Sequence, residues 1–180
     1  MALSFKYPGK PLSYDPYSSH SIFMITIKPA LFPDNLSEVK GMFREYADSL
    51  DIDLDFQDFE VELSGLPGKY AEPSGIVLLA RSEQEVVGCI ALRKIDSDIC
   101  EMKRLYVKPQ VRSQKVGRLL VEQLCAEARK IGYQKMYLDT IPSMASAVRL
   151  YASLGFKPVK PYIYNPLAGA MFLGLDLNLS

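Results

Sequence analysis

The stretch that most restricts the fold of this 180-residue chain runs from Arg104 to Leu120, RLYVKPQVRSQKVGRLL. It reads as the end of a strand, a turn rich in Lys and Arg, and the opening of a helix. The strand (98–109) stops at Pro109. From Lys115 to Ile131, Val116, Leu119, Leu120, Leu124, Ala128 and Ile131 recur on one helical face. The junction is also chemically pointed. A helix N-terminus leaves backbone N–H groups unpaired and carries partial positive charge, so phosphates dock there. Lys108, Arg112, Lys115 and Arg118 surround it, yet the chain balances 21 basic against 21 acidic residues. Any anion site is therefore local, and no global field draws the protein to nucleic acid or an anionic membrane. The alternative is a solvated basic turn that only opens the helix.

The rest of the chain supplies a sheet for this junction. Residues 1–20 read as an extended lead-in, and 21–180 as a single domain. A first strand is expected over 21–30, a helix from Leu36 to Leu50, and a shorter helix over 55–68 ended by Gly65, Pro67 and Gly68. GIVLLARS and QEVVGCIALRKI form a hairpin of apolar strands. KMYLDT (135–140) is another strand. Pro142 and Ser143 then open a helix through Leu154, with Ser143 as N-cap and Gly155 just beyond its end. FKPVKPYIY and GAMFLGLDL are the last two strands, joined around residues 165–169. The order βαα-βββ-α-β-α-ββ gives a mixed α/β (α+β) domain around one largely antiparallel sheet.

Several chemistries are excluded. The G-x-x-x-x-G-K-[ST] loop is absent, and the turn has only Gly117 where G-x-G-x-x-G needs three glycines. His20 is the sole histidine, which argues against a histidine triad or a His-ligated metal, so no metal is expected. Cys89, Cys100 and Cys125 lack C-x-x-C spacing and read as reduced, buried thiols. With no secretory core segment and no apolar run of about 20 residues, the expected location is the cytoplasm.

LYVKPQVRSQKVGRLL resembles the acetyl-CoA-binding motif of the GNAT acyltransferases, a strand ending V-x-P followed by R/Q-x-x-G-x-G/A at a helix start. Arg112 and Gly117 match its first and last positions. Lys115 replaces the first glycine, which a non-glycine residue can do if its φ stays negative. SAVRLYASLGF (146–156) is similar to the family's second signature, A-x-x-L-Y-x-x-x-G-F. Both signatures and the element order cover roughly residues 21–178.

The resemblance implies a twisted, mostly antiparallel seven-stranded sheet with about four helices, its fourth and fifth strands splayed to admit acetyl-CoA. Leu105, Tyr106 and Val107 then face pantetheine, and Arg112, Ser113, Gln114, Lys115, Val116, Gly117 and Arg118 hold the diphosphate. Tyr151 matches the general acid, although on helical spacing alone it is a core residue beside Met144 and Val148. Glu101 is the candidate base, or else a strand carboxylate paired with Lys103. Asp139 is a second candidate, or a group that caps the next helix or binds the ammonium. Met144 stands where the family often has an Asn that contacts CoA, and Ser143 beside it is an N-cap or, instead, a CoA ligand.

For the acceptor, the acidic run Asp48, Asp51, Asp53, Asp55, Asp58 and Glu60 suits a cationic amine or is simply a solvated face. Lys103 and Arg104 suit a substrate carboxylate, with Tyr162 and Tyr164 as a wall. A small amine, an amino acid among the choices, is the leading acceptor. Acetylation of a protein or peptide amine, and a non-catalytic acyl-CoA-binding module, are the alternatives. Many relatives form dimers, which leaves a homodimer open.

Overall fold

The computed structural model describes residues 24–50 and 58–178. The expected lead-in, His20, Asp51, Asp53 and Asp55 lie outside them. Seven strands form one sheet: β1 (Ile25–Pro29), β2 (Ile76–Ser82), β3 (Glu85–Lys94), β4 (Ile99–Val107), β5 (Lys135–Thr140), β6 (Lys157–Pro158) and β7 (Met171–Asp176), in the order β1-β2-β3-β4-β5-β7-β6. Only β4 and β5 run parallel; every other pair is antiparallel. Four α-helices accompany them among the described residues: α1 (Leu36–Asp48), α2 (Phe59–Ser64), α3 (Val116–Ile131) and α4 (Ala145–Ser153).

The sheet is apolar on both faces, which explains its near-continuous hydrophobic runs. On one face α3 and the end of α4 pack Leu120, Leu124, Tyr151 and Phe156 against Leu78, Ile90, Met102, Met136 and Leu138. On the other, α1 and α2 set Val39, Phe43, Phe59 and Leu63 against Val77, Leu79, Cys89 and Ala91. The three cysteines are free and buried as expected. Burial pushes Cys125 up to about 11 and Cys100 up to about 12, so neither is a ready nucleophile.

Several local expectations change. Leu119 and Ile131 are 41% and 36% exposed, and Val121 and Cys125 take their place in the α3 core stripe. Within the described part of 55–68 only Phe59–Ser64 is helical, followed by a 3-10 turn at Gly68–Tyr70. The strand expected over 156–164 shrinks to Lys157–Pro158, since Pro158 and Pro161 interrupt a ladder. Ser143 is not an N-cap: α4 starts at Ala145, Met144 holds the cap position, and no side chain caps it.

The second signature acquires a physical meaning at the end of α4. Gly155 has φ 90°, its N–H meets the Ala152 carbonyl at 3.1 Å, and the Phe156 N–H meets the Tyr151 carbonyl at 3.1 Å. This is a Schellman cap, which needs a glycine at the left-handed position and pairs apolar side chains across it. Tyr151 and Phe156 are that pair, with ring centroids 5.7 Å apart.

Candidate functional site

The β4–β5 ladder pairs Ile99 with Lys135, Cys100 with Met136 and Glu101 with Tyr137, and then stops. Beyond that point β4 continues to Val107 and β5 to Thr140, so the strands part and a cleft opens between them. Met102, Lys103, Arg104 and Leu105 line one wall, and Leu138, Asp139, Thr140 and Ile141 the other. The backbone of β4 thus has a free edge facing an open slot, the geometry that accepts an added extended chain.

A bulge shapes this edge. Ala91 pairs with Lys103 but Cys89 with Tyr106, so one residue of β3 opposes two of β4. Arg104 absorbs the extra length with φ 58°, a strained value for a side-chain-bearing residue. As a result Lys103 and Arg104 both contact residues on the α1/α2 side, while Leu105 packs with the opposite core.

The basic turn lies at the end of β4. A 3-10 turn covers Pro109–Gln114, Lys115 occupies the N-cap position of α3, and the helical ladder begins with the Leu119 N–H on the Lys115 carbonyl at 3.2 Å. No side chain caps this helix, so the amides of Val116, Gly117 and Arg118 are presented outward. Lys115 has φ 59°, which corrects the expectation of a negative value: the position keeps the left-handed turn that a glycine would adopt, at a cost of about 1–2 kcal/mol. The cations divide into two kinds. Lys108 is ion-paired with Glu85 and Glu45, and Arg118 donates to Ser153 Oγ at 2.7 Å. Arg112 is exposed, with Nε on the Val107 carbonyl at 3.0 Å, and Lys115 is exposed with Ser113 and Gln114 beside it.

On the α1/α2 side, charged groups form a buried ladder at the foot of the cleft. Glu101 is 1% exposed, with Oε2 on Arg93 Nε and Oε1 accepting the Tyr162 hydroxyl at 3.0 Å. Lys103 Nζ lies 3.8 Å from Glu101 and 3.1 Å from Asp139 Oδ1, whose Oδ2 accepts from Asn165 Nδ2 at 2.8 Å. Arg104 donates to Glu62 at 2.8 Å and lies 5.6 Å from the Tyr46 ring centroid. Tyr162 packs on Tyr137 and Phe172. Gly174 makes room for Tyr137, because a Cβ there would come within 2.8 Å of that ring.

Tyr151 reaches the cleft from α4 and Tyr46 from α1. Burial, reinforced by nearby Tyr46 and Asp139, pushes the Tyr151 hydroxyl well above its ordinary 10. Burial, then Glu101, pushes Tyr162 up likewise. Both phenols therefore hold their protons at neutral pH.

Of the residues singled out in the sequence, Lys103, Arg104, Leu105, Asp139 and Tyr151 share the cleft, with Glu101 and Tyr162 directly behind Lys103. Tyr106 and Val107 continue β4 toward the turn. Tyr164 is 81% exposed and contributes no wall. Arg93, Tyr46 and Asn165 were missed. Arg93 was within reach, since extending the β3–β4 hairpin from its turn places it opposite Glu101. Among the described residues no group of His, Cys, Asp and Glu can hold a metal, and no helix is long and apolar enough to cross a membrane.

The first signature thus runs from the open β4 edge into a helix start that no side chain caps, and the second, on α4, brings Tyr151 to the same cleft. Residues 38–156 match the acetyltransferase (GNAT) family, and the chain belongs to that family. It is 39% identical over 156 residues to an uncharacterized N-acetyltransferase of Schizosaccharomyces pombe, covering 86% of this chain and 96% of that protein. A GNAT-family acetyltransferase from Staphylococcus aureus Mu50 superposes with a TM-score of 0.71 at 23% identity, over 86% of this chain and 99% of the other. YncA of Salmonella typhimurium, solved with its cofactor acetyl-CoA, superposes with a TM-score of 0.62 at 21% identity, over 87% and 95% of the two chains. The seven-stranded sheet with its splayed parallel pair is the fold expected from the sequence.

Proposed function

We propose that this protein is an N-acetyltransferase that moves an acetyl group from acetyl-CoA directly to the primary amine of a small molecule. The observation that carries the reading is the parting of β4 from β5 after the Glu101–Tyr137 pair, next to a helix start that no side chain caps. Acetyl-CoA, when bound, supplies the activated acyl group. The amides from Gln114 to Arg118, with Arg112 and Lys115 outside them, are suited to its diphosphate, and the β4 backbone at Leu105, Tyr106 and Val107 to its pantetheine arm.

Tyr151 holds a proton at the cleft and is assigned as general acid. Glu101 is the candidate base, acting through an intermediary, because Arg93, Tyr162 and Lys103 enclose its carboxylate. The step balances: a C–N bond forms as the C–S bond breaks, the neutral amine gives one proton through the intermediary to Glu101, the leaving thiolate takes one from Tyr151, and exchange with solvent returns both residues to their starting states. Calorimetric titration with acetyl-CoA, with NAD as control, tests the assignment. Binding of acetyl-CoA alone is expected, and its absence would remove the assignment.

A further inference from the structure

Every buried cation at the foot of the cleft already has an anion. Arg93 holds Glu101, Lys103 holds Asp139, and Arg104 holds Glu62. Among the described residues, three cations thus face three carboxylates. Lys103, Asp139 and Arg104 are sealed as well as paired, at 7%, 6% and 1% exposed, whereas Arg93 and Glu62 keep some exposure. Asn165 and Tyr162 occupy further lone pairs on Asp139 and Glu101.

Such a cleft treats charged ligands unequally from a solvated one. A carboxylate that entered would be left unpaired, or would take Lys103 from Asp139 or Arg104 from Glu62 and strand that anion instead. Either route leaves one buried negative charge without a partner, at a cost of several kcal/mol. An uncharged polar group meets no such obstacle, since it separates none of these ion pairs, and Tyr46 and Thr140 line the same space. Leu50, Ile141 and Leu167 give the remaining wall an apolar surface.

We infer that the acceptor is a small primary amine on an apolar body with no carboxylate beside the amine. Free amino acids are therefore excluded as good substrates. This inference rests on the acetyl-transfer reading, and its test separates the two. L-Phenylalaninamide and L-phenylalanine have nearly the same shape and differ at the group in question.

The measurement is kcat/KM for each probe, by release of free thiol from acetyl-CoA, on protein first shown by calorimetry to bind acetyl-CoA. Failure of that first step removes the acetyl-transfer reading itself. Given binding, the amide should exceed the acid by about a hundredfold. Calorimetry on protein saturated with CoA should show the same preference without turnover. Equal rates, a preference for the acid, or no turnover of either probe would overturn the inference. Glu62→Gln supplies a second arm, because it leaves Arg104 with a neutral neighbour able to yield to an incoming carboxylate. The amide-to-acid ratio, which is independent of the folded fraction, should then fall severalfold; an unchanged ratio would count against Arg104–Glu62 as part of the barrier.

Discussion

The basic turn after β4 and the charged ladder along it handle polarity in opposite ways. At the turn, Val116, Gly117 and Arg118 present amides that no side chain caps, and Arg112 and Lys115 are exposed, Arg112 with its Nε on the Val107 carbonyl. At the foot of the cleft, Glu101, Lys103 and Asp139 have buried side chains and, with half-buried Arg93, satisfy one another. The turn leaves backbone donors without side-chain caps, whereas the ladder's charges are paired within the protein. A region of the first kind gains affinity from what it lacks. One of the second kind holds the cleft's shape, and on the inference above it disfavours an unpaired carboxylate. Tyr151 stands between them, held by the cap at the end of α4 and lining the cleft above the ladder.

The largest expected effect is therefore at Tyr151. Tyr151→Phe keeps the ring contact with Phe156 and removes only the proton donor. It should lower kcat by about 10²–10⁴-fold and leave acetyl-CoA affinity unchanged by calorimetry. The pH profile sharpens this. The protonated phenol is the active form, and burial raises the pH at which it ionises, so kcat should not decline from this group below about pH 10. A descending limb under about pH 9 that belonged to a phenol would remove Tyr151 as the acid.

Next in size is the ladder. Glu101→Gln leaves Arg93 facing a neutral amide in a buried site. It should destabilise the fold by about 3 kcal/mol, the low end for breaking a buried pair because Arg93 retains 20% exposure. Adding Arg93→Met should recover at least half of that loss in urea unfolding. No recovery would mean that Lys103 and Tyr162, rather than Arg93, hold the energy of the site, and the ladder would have to be redrawn.

The two regions also differ in how far the sequence discloses them. The turn was legible because its parts are consecutive: a strand, a proline, four cations and an amphipathic helix sit within one short stretch. The conformation of Lys115 was not, because residue type constrains φ but does not determine it. Ser143 was misplaced for a related reason, since a good capping residue does not cap unless the helix begins beside it. The ladder draws Arg93, Glu101, Asp139 and Asn165 from four separate segments, and only the β3–β4 pairing could be foreseen. The bulge at Arg104, which brings Lys103 and Arg104 to one side, leaves no composition signal. Tyr46 looked like one more apolar position in α1, because a tyrosine in a helical stripe reads the same whether or not its ring borders a cleft.

Within the turn, the division of cations predicts unequal effects. Arg112→Glu should weaken acetyl-CoA binding about tenfold at low salt, as expected for an exposed charge-assisted contact. Arg118→Glu should cost less, because Arg118 is already engaged by Ser153 and Glu122. Equal losses at the two positions would show that the ligand draws Arg118 away from its partners, and the turn would resemble the ladder less sharply than described.

The smallest effect concerns Lys115, where backbone and side chain make separable claims. Replacing it with glycine relieves the left-handed strain of about 1–2 kcal/mol but adds freedom to the unfolded chain. The net change should be a stabilisation of roughly 0.5–1 kcal/mol in urea unfolding. The same substitution deletes an exposed cation while keeping the turn's geometry. Affinity for acetyl-CoA should therefore fall severalfold at low salt, and the difference should close at high salt, where the screening length contracts to a few ångströms. If affinity rises at every ionic strength, Lys115 serves the turn only as a poor substitute for glycine, and the amides alone carry the anion site. If stability falls instead, the side chain makes a contact that offsets its strained backbone. The turn would then be partly complete in itself, and the contrast with the ladder would be one of degree.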